Sequence, residues 1–168
     1  MALHRAARLA RQTPDGKVLL TTFSLPLANA LSRKLAVLLG EDSPALRRVT
    51  VAPYRTVADE LFQLAFGRRA VVASDEQVED AVTKAAEAVG AKGFTIRFLI
   101  SEWRHVVDAW QIADVAAYAT VPRLGRKNRM SAGQRERLWP VFATVRASIA
   151  KRGLATWPEI YSLSLIHI

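Results

Sequence analysis

The chain of 168 residues contains no cysteine, which excludes disulfide bridges and thiolate metal sites and makes a reducing cytoplasm the expected compartment. Histidine is almost as scarce: His4, His105 and His167 are too scattered for metal-ligand spacing. No run approaches the roughly 20 apolar residues needed to span a bilayer, so no membrane partner is expected. A phosphate-binding loop of the Gly-x-x-x-x-Gly-Lys-[Ser/Thr] type is also missing. Such a loop wraps phosphates in backbone amides while its lysine and hydroxyl reach the phosphate and magnesium. The one Gly-Lys pair, Gly16-Lys17, follows Thr13-Pro14-Asp15 and precedes Val18, and fits a turn before a strand. No acidic pair follows an apolar strand in the manner of a magnesium-binding Walker B motif.

Acidic residues are outnumbered, 15 against 24 Lys and Arg, for a formal charge of +9. The excess is local. Across 121–152 nine cations (Arg123, Arg126, Lys127, Arg129, Arg135, Arg137, Arg146, Lys151 and Arg152) face a single acid, Glu136. A concentrated basic stretch suits a polyanion, because neutralised phosphates release condensed counterions. The plainer alternative is a solvated basic face. Across 75–90, by contrast, five acids accompany one lysine, which argues against nucleic acid coating the whole chain. With 51% hydrophobic residues the composition is that of a globular chain with a core, and not of a disordered one.

Periodicity divides the chain into two parts. Leu3, Ala6, Ala7 and Ala10 have helical spacing, and Thr13-Pro14-Asp15-Gly16 ends that helix with turn chemistry. Residues 18–23 form an almost continuous apolar run, expected as a buried parallel strand. Ser24 followed by Pro26 predicts a capped helix carrying Leu27, Ala30, Leu31, Leu35 and Leu38 and ending at Gly40. A second strand is expected over 47–52 and a further helix from Thr56 to Phe66. Strand and helix alternating in this way imply right-handed crossovers and a parallel sheet. Beyond Gly67 the pattern is helical only, with helices expected over 75–89, 95–110 and 131–151, the last with Leu138, Phe142, Val145 and Ile149 as its seam. A short final helix should be capped by Thr156, and no strand is expected beyond Ala70. Trp103, Trp110, Trp139 and Trp157 have helical spacing and are assigned to packing rather than to stacking. The segment 164–168 is set aside as a non-native tail.

Three groups of residues could carry function. Thr22, Phe23 and Ser24 end the first strand, where ligands of open α/β sheets gather. Phe23 could stack on a base of any identity, a contribution of roughly 1–3 kcal/mol, or could plug the core beneath the next helix. Arg55 and Thr56 end the second strand, and Thr56 could equally be a helix cap. Arg123, Arg126, Lys127 and Arg129 sit in a glycine-containing loop suited to phosphate contact, which positions a nucleic acid without reading its sequence.

The segment from Lys17 to Leu31, with Thr22-Phe23 at its strand tip, resembles the motif that follows the phosphate-binding loop in UvrD/Rep-type superfamily-1 DNA helicases. The helix 3–11 is similar to the one that leaves that loop. Two departures stand out: Ser24-Leu25-Pro26-Leu27-Ala28-Asn29-Ala30-Leu31 replaces the more usual Thr-Asn-Lys-Ala-Ala, and Ala58 and Asp59 fall where the family places a His and a Ser. The resemblance implies an α/β fold, with a partial parallel-sheet P-loop NTPase (RecA-like) core over 1–70. An all-helical inserted subdomain would span 71–155 and a return segment 156–163. It also implies that the chain is an internal fragment of an ATP-dependent 3′-to-5′ DNA helicase whose full-length parent binds ATP and Mg2+. The implied partners are single-stranded DNA, gripped by Thr22, Phe23, Ser24, Arg55 and Thr56, and a duplex junction contacted by the loop of Arg123, Arg126, Lys127 and Arg129. No catalytic residue is assigned to this chain. The alternative is a freestanding basic helical module that binds nucleic acid or protein without catalysis.

Overall fold

The computed structural model describes residues 1–122 and 130–166, with side chains as far as 163. It divides into two compact units, Met1–Leu64 and Ala65–Ile168, and it is mostly helical with a single two-stranded parallel sheet.

In the first unit α1 (Ala2–Gln12) leads through the tight turn at Gly16 into β1 (Val18–Thr22). The next elements are α2 (Leu25–Leu39), a single 3-10 turn (Leu46–Arg48), β2 (Val49–Pro53) and α3 (Tyr54–Phe66). The strands pair in parallel from Val18 opposite Val49 to Thr22 opposite Pro53. The helices α1 and α2 pack on each other and on the strands, burying Ala6, Ala7, Ala10, Ala28 and Leu35. Two arginines close helix ends: Arg48 donates to the carbonyl of Ala10 at 2.6 Å, and Arg11 to that of Leu38 at 2.9 Å. Each satisfies a last-turn carbonyl and places a cation at the negative end of a helix dipole.

Several expectations change here. The first strand is not covered on both faces: Leu19 is 50% exposed and Thr21 also faces out, because neither α1 nor α2 covers their side. The second strand begins two residues later than expected, since residues 46–48 wind into a 3-10 turn first. The helix expected from Thr56 begins at Tyr54, so Thr56 lies inside the first turn and is not the cap.

The second unit is a helical cluster. Its elements are α4 (Asp75–Val89), α5 (Ile96–Glu102) continuing into a π-helical segment (Trp103–Asp108), α6 (Val115–Thr120), α7 (Ala132–Lys151) and α8 (Trp157–Ile166). The helices start where the chemistry of their caps dictates. Ser74 with Gln77 and Ser131 with Gln134 form reciprocal capping boxes on α4 and α7. Thr95 and Asp114 cap α5 and α6. The helix pair α4 and α7 anchors the core, with α5 on α4 and α6 on α7. Trp103, Tyr118, Phe142, Leu99, Leu138, Val82 and Val141 are fully buried there, the Tyr118 ring meeting Phe142 edge-on at 5.5 Å. Buried Glu102 accepts the Tyr118 hydroxyl at 2.8 Å.

The helix expected over 95–110 is therefore two structures in sequence, because the wider turn lets Val106, Val107 and Asp108 all point inward. Trp110 was assigned to packing yet is 75% exposed, while Trp103 is buried and Trp139 and Trp157 are half-buried. Beyond Ala70 the described residues form no strand, as expected, and a single isolated parallel bridge joins Val72 to Ala155. The 156–163 segment lies within this second unit, and α8 continues to Ile166, into the stretch set aside as a tail.

Candidate nucleic-acid interface

Parallel pairing decides what meets at the end of the sheet. Because Thr22 lies opposite Pro53, the next residues, Phe23 and Tyr54, leave the same C-terminal edge side by side. Thr22, Phe23 and Ser24 are thereby brought to the same edge as Arg55 and Thr56, as expected of two parallel strands ending in register. The Phe23 ring is 97% exposed, which removes the alternative that it plugs the core beneath α2. Leu25 and Leu27 are exposed beside it in the chain.

Ser24 caps α2: its hydroxyl accepts from the Leu27 amide at 3.4 Å, its carbonyl accepts from the Ala28 amide at 3.0 Å, and Pro26 occupies the first turn, where no amide is needed. The helix α3 starts at the same edge, so two helix N-termini, each with partial positive charge, open on it. Neither helix has an acidic residue in its first turn, so no first-turn carboxylate offsets either dipole. Arg55 and Thr56 are both exposed. The edge therefore combines a bare aromatic ring, hydroxyls, amide dipoles and a guanidinium. Arg123, Arg126, Lys127 and Arg129 lie outside the described residues.

Comparison with protein-family models, with curated proteins and with solved structures finds no match.

The fit of the nucleotide implied by the helicase resemblance can be tested on Gly16-Lys17. They lie at the opposite, N-terminal end of β1, in a turn closed by the Gly16 amide on the Thr13 carbonyl at 3.1 Å. A Cβ at Gly16 would stand 2.6 Å from the Thr13 methyl carbon, so the glycine serves the tightness of that turn. A phosphate cradle needs several amides converging before a helix, and Gly16-Lys17 leads into a strand. These residues do not fit ATP, and among the described residues no cluster of His, Asp and Glu could hold a metal ion.

A second polar cluster, in the helical unit, was not foreseen. The Asp108 carboxylate accepts from the Thr156 hydroxyl at 2.6 Å and from the Gln111 amide at 3.0 Å. Burial pushes its carboxyl above the ordinary value of 3.8, with Glu159 adding to the shift, while the bonds from Thr156 and Gln111 and the charge of Arg146 oppose it. A cavity of about 20 Å³ lies among Asp108, Gln111, Arg146, Thr156 and Glu159, room for one water. Thr156 also completes a capping box on α8, accepting from the Glu159 amide while the Glu159 carboxylate accepts from the Thr156 amide, each at 3.3 Å. The Thr-x-x-Glu spacing announced that cap. Nothing in the spacing ties it to Asp108, 48 residues earlier. Asp108, Gln111, Thr156 and Glu159 are hydrogen-bonded among themselves, while the buried Nη2 of Arg146 has no hydrogen-bond partner among the described residues, and the bond from Thr156 to Asp108 fastens the π-helical segment to the start of α8.

Proposed function

We propose that this chain is the strand-gripping part of an ATP-dependent DNA helicase of UvrD/Rep type. Its first unit would form part of a RecA-like motor core, and its helical unit the inserted subdomain facing duplex. The observation that carries this is the exposed Phe23, set with Ser24, Arg55 and two helix N-termini at the C-terminal edge of a parallel sheet. The segment around it is also the one whose sequence resembles the family. A motor that steps over every base needs contacts indifferent to sequence. A ring face for the base and amide dipoles for the phosphate meet that need. Single-stranded DNA is the partner at this edge. The duplex junction is assigned to the basic loop of Arg123, Arg126, Lys127 and Arg129, and the setting to the cytoplasm. No helix among the described residues is long and apolar enough to cross a membrane. ATP and Mg2+ belong to the full-length parent, and no step of hydrolysis is assigned to residues of this chain.

Phe23→Ala tests the reading directly. The ring makes almost no buried contact, so its removal should leave circular dichroism and melting unchanged. Affinity for oligothymidylate should weaken by roughly 1–3 kcal/mol with little change in salt dependence, as for lost stacking without lost charge. A folded variant that binds the oligonucleotide as tightly as the parent would refute the assignment.

A further inference from the structure

The polar cluster around Asp108 leaves three groups over. The Thr156 hydroxyl and the Gln111 amide both donate to its Oδ1, and Oδ2 accepts from none of the described residues. Glu159 repeats the pattern: its Oε2 accepts from the Thr156 amide, and its Oε1 accepts from none of the described residues. The third group is a donor. Nη2 of Arg146 is shut off from solvent with no hydrogen-bond partner among the described residues, and a buried donor of this kind is ordinarily met by protein or by ordered water. All three residues line one cavity, Asp108 from the π-helical segment, Arg146 from α7 and Glu159 from α8. Its volume of about 20 Å³ is the room of a single water.

The chemistry of the three groups decides among occupants of that size. A halide could accept from Arg146 but would face two carboxylates. A monovalent cation could take both oxygens, yet it would stand against the guanidinium and give Nη2 nothing to donate to. A water has lone pairs to accept with and two protons to give, which is the set required. It can accept from Nη2 and donate to Oδ2 and Oε1, three bonds in all, the usual number for a buried water. The fit survives protonation of Asp108, the form that burial favours, because the water's second lone pair can then accept from the Oδ2 hydroxyl.

We propose that one resident water occupies this cavity and bridges Arg146 to Asp108 and Glu159, so that α7 joins the fastening of the π-helical segment to α8. The site is independent of what the sheet edge of the first unit binds. The test is a crystal structure of the full chain, with further crystals soaked in rubidium bromide for anomalous scattering. Oxygen-17 relaxation dispersion of the parent and of Arg146→Met in solution accompanies it. The expected result is one ordered oxygen within about 2.7–3.2 Å of Nη2, Oδ2 and Oε1, no anomalous peak at the site from either ion, and a dispersion amplitude lower by one long-lived water in Arg146→Met. Nη2 bonded directly to Asp108 or Glu159 with no oxygen between them would overturn the proposal. A rubidium or bromide peak in the cavity would assign it to an ion and overturn it as well. An unchanged amplitude in a folded Arg146→Met would show that Arg146 holds no such water, with the same consequence. If circular dichroism shows that Arg146→Met does not fold, the parent crystals alone decide between these outcomes.

Discussion

Asp108 shows how one buried carboxylate ties its stability to pH. Because burial raises its folded pKa above the unfolded value, the folded chain holds the proton more tightly than the unfolded chain. Its contribution is therefore fully present below the ordinary carboxylate value of 3.8 and is lost as pH rises through the raised value. Asp108→Asn removes the titration while keeping an oxygen to accept from Thr156 and Gln111. In urea titrations across that window, stability should shift in favour of the parent over the variant as pH falls, and in favour of the variant as it rises. A difference independent of pH would show that Asp108 titrates alike in the folded and unfolded chains. Phe23 is the opposite case, an aromatic side chain whose removal costs the fold almost nothing because it touches almost nothing.

At the scale of elements, two helix caps were legible in the sequence and the irregular segments were not. Ser24 with Pro26 and Thr156 each mark a cap through a hydroxyl placed before a periodic apolar run, and the structure uses both, whereas Thr56 lies inside α3 and the short α6, capped by Asp114, was not expected. Side-chain periodicity carries no such mark for a widened turn, so the π-helical segment read as ordinary helix and Trp110 was assigned to packing. Pairing of the two strand tips was legible once the crossover was assumed parallel. The bare outer face of β1 was not, because an apolar run records which residues can be buried and not whether a neighbour arrives to bury them. Thr156 joins two elements and should be the most sensitive of the caps. Thr156→Val removes the hydroxyl that caps α8 and the donor to Asp108 together. Its cost by thermal or chemical denaturation should be about 2–4 kcal/mol, against about 1 kcal/mol for Ser131→Ala, which loses a cap alone. Equal costs would mean that the bond to Asp108 contributes nothing.

Across the whole molecule the two units differ in how much large apolar surface they bury. The buried residues of the first unit are mostly alanines, with Leu35, Val57 and Phe62, whereas the second buries Trp103, Tyr118, Phe142, Leu99, Leu138 and Ile160. Stabilisation scales with apolar area removed from water, and a two-stranded sheet with open edges adds little of its own. The first unit should therefore unfold at lower denaturant. All four tryptophans lie in the second unit, so the units can be followed separately. Helical dichroism should begin to fall before tryptophan emission changes, and coincident transitions would refute the difference in stability.

The π-helical segment also has a meaning in terms of residue count. A π turn is an α turn with one residue too many, the form an insertion takes when the helix on either side is kept. Wound as continuous α-helix with all its residues kept, the Trp103–Asp108 segment would swing every side chain beyond it by about 100° about the helix axis relative to what precedes it, and Asp108 would turn away from Thr156. Deleting exposed His105 removes the surplus residue, so the shortened segment should wind as α-helix and leave Asp108 facing Thr156. The π turn thus absorbs one residue without changing what the helix presents: a chain one residue shorter should keep the bond from Thr156 to Asp108.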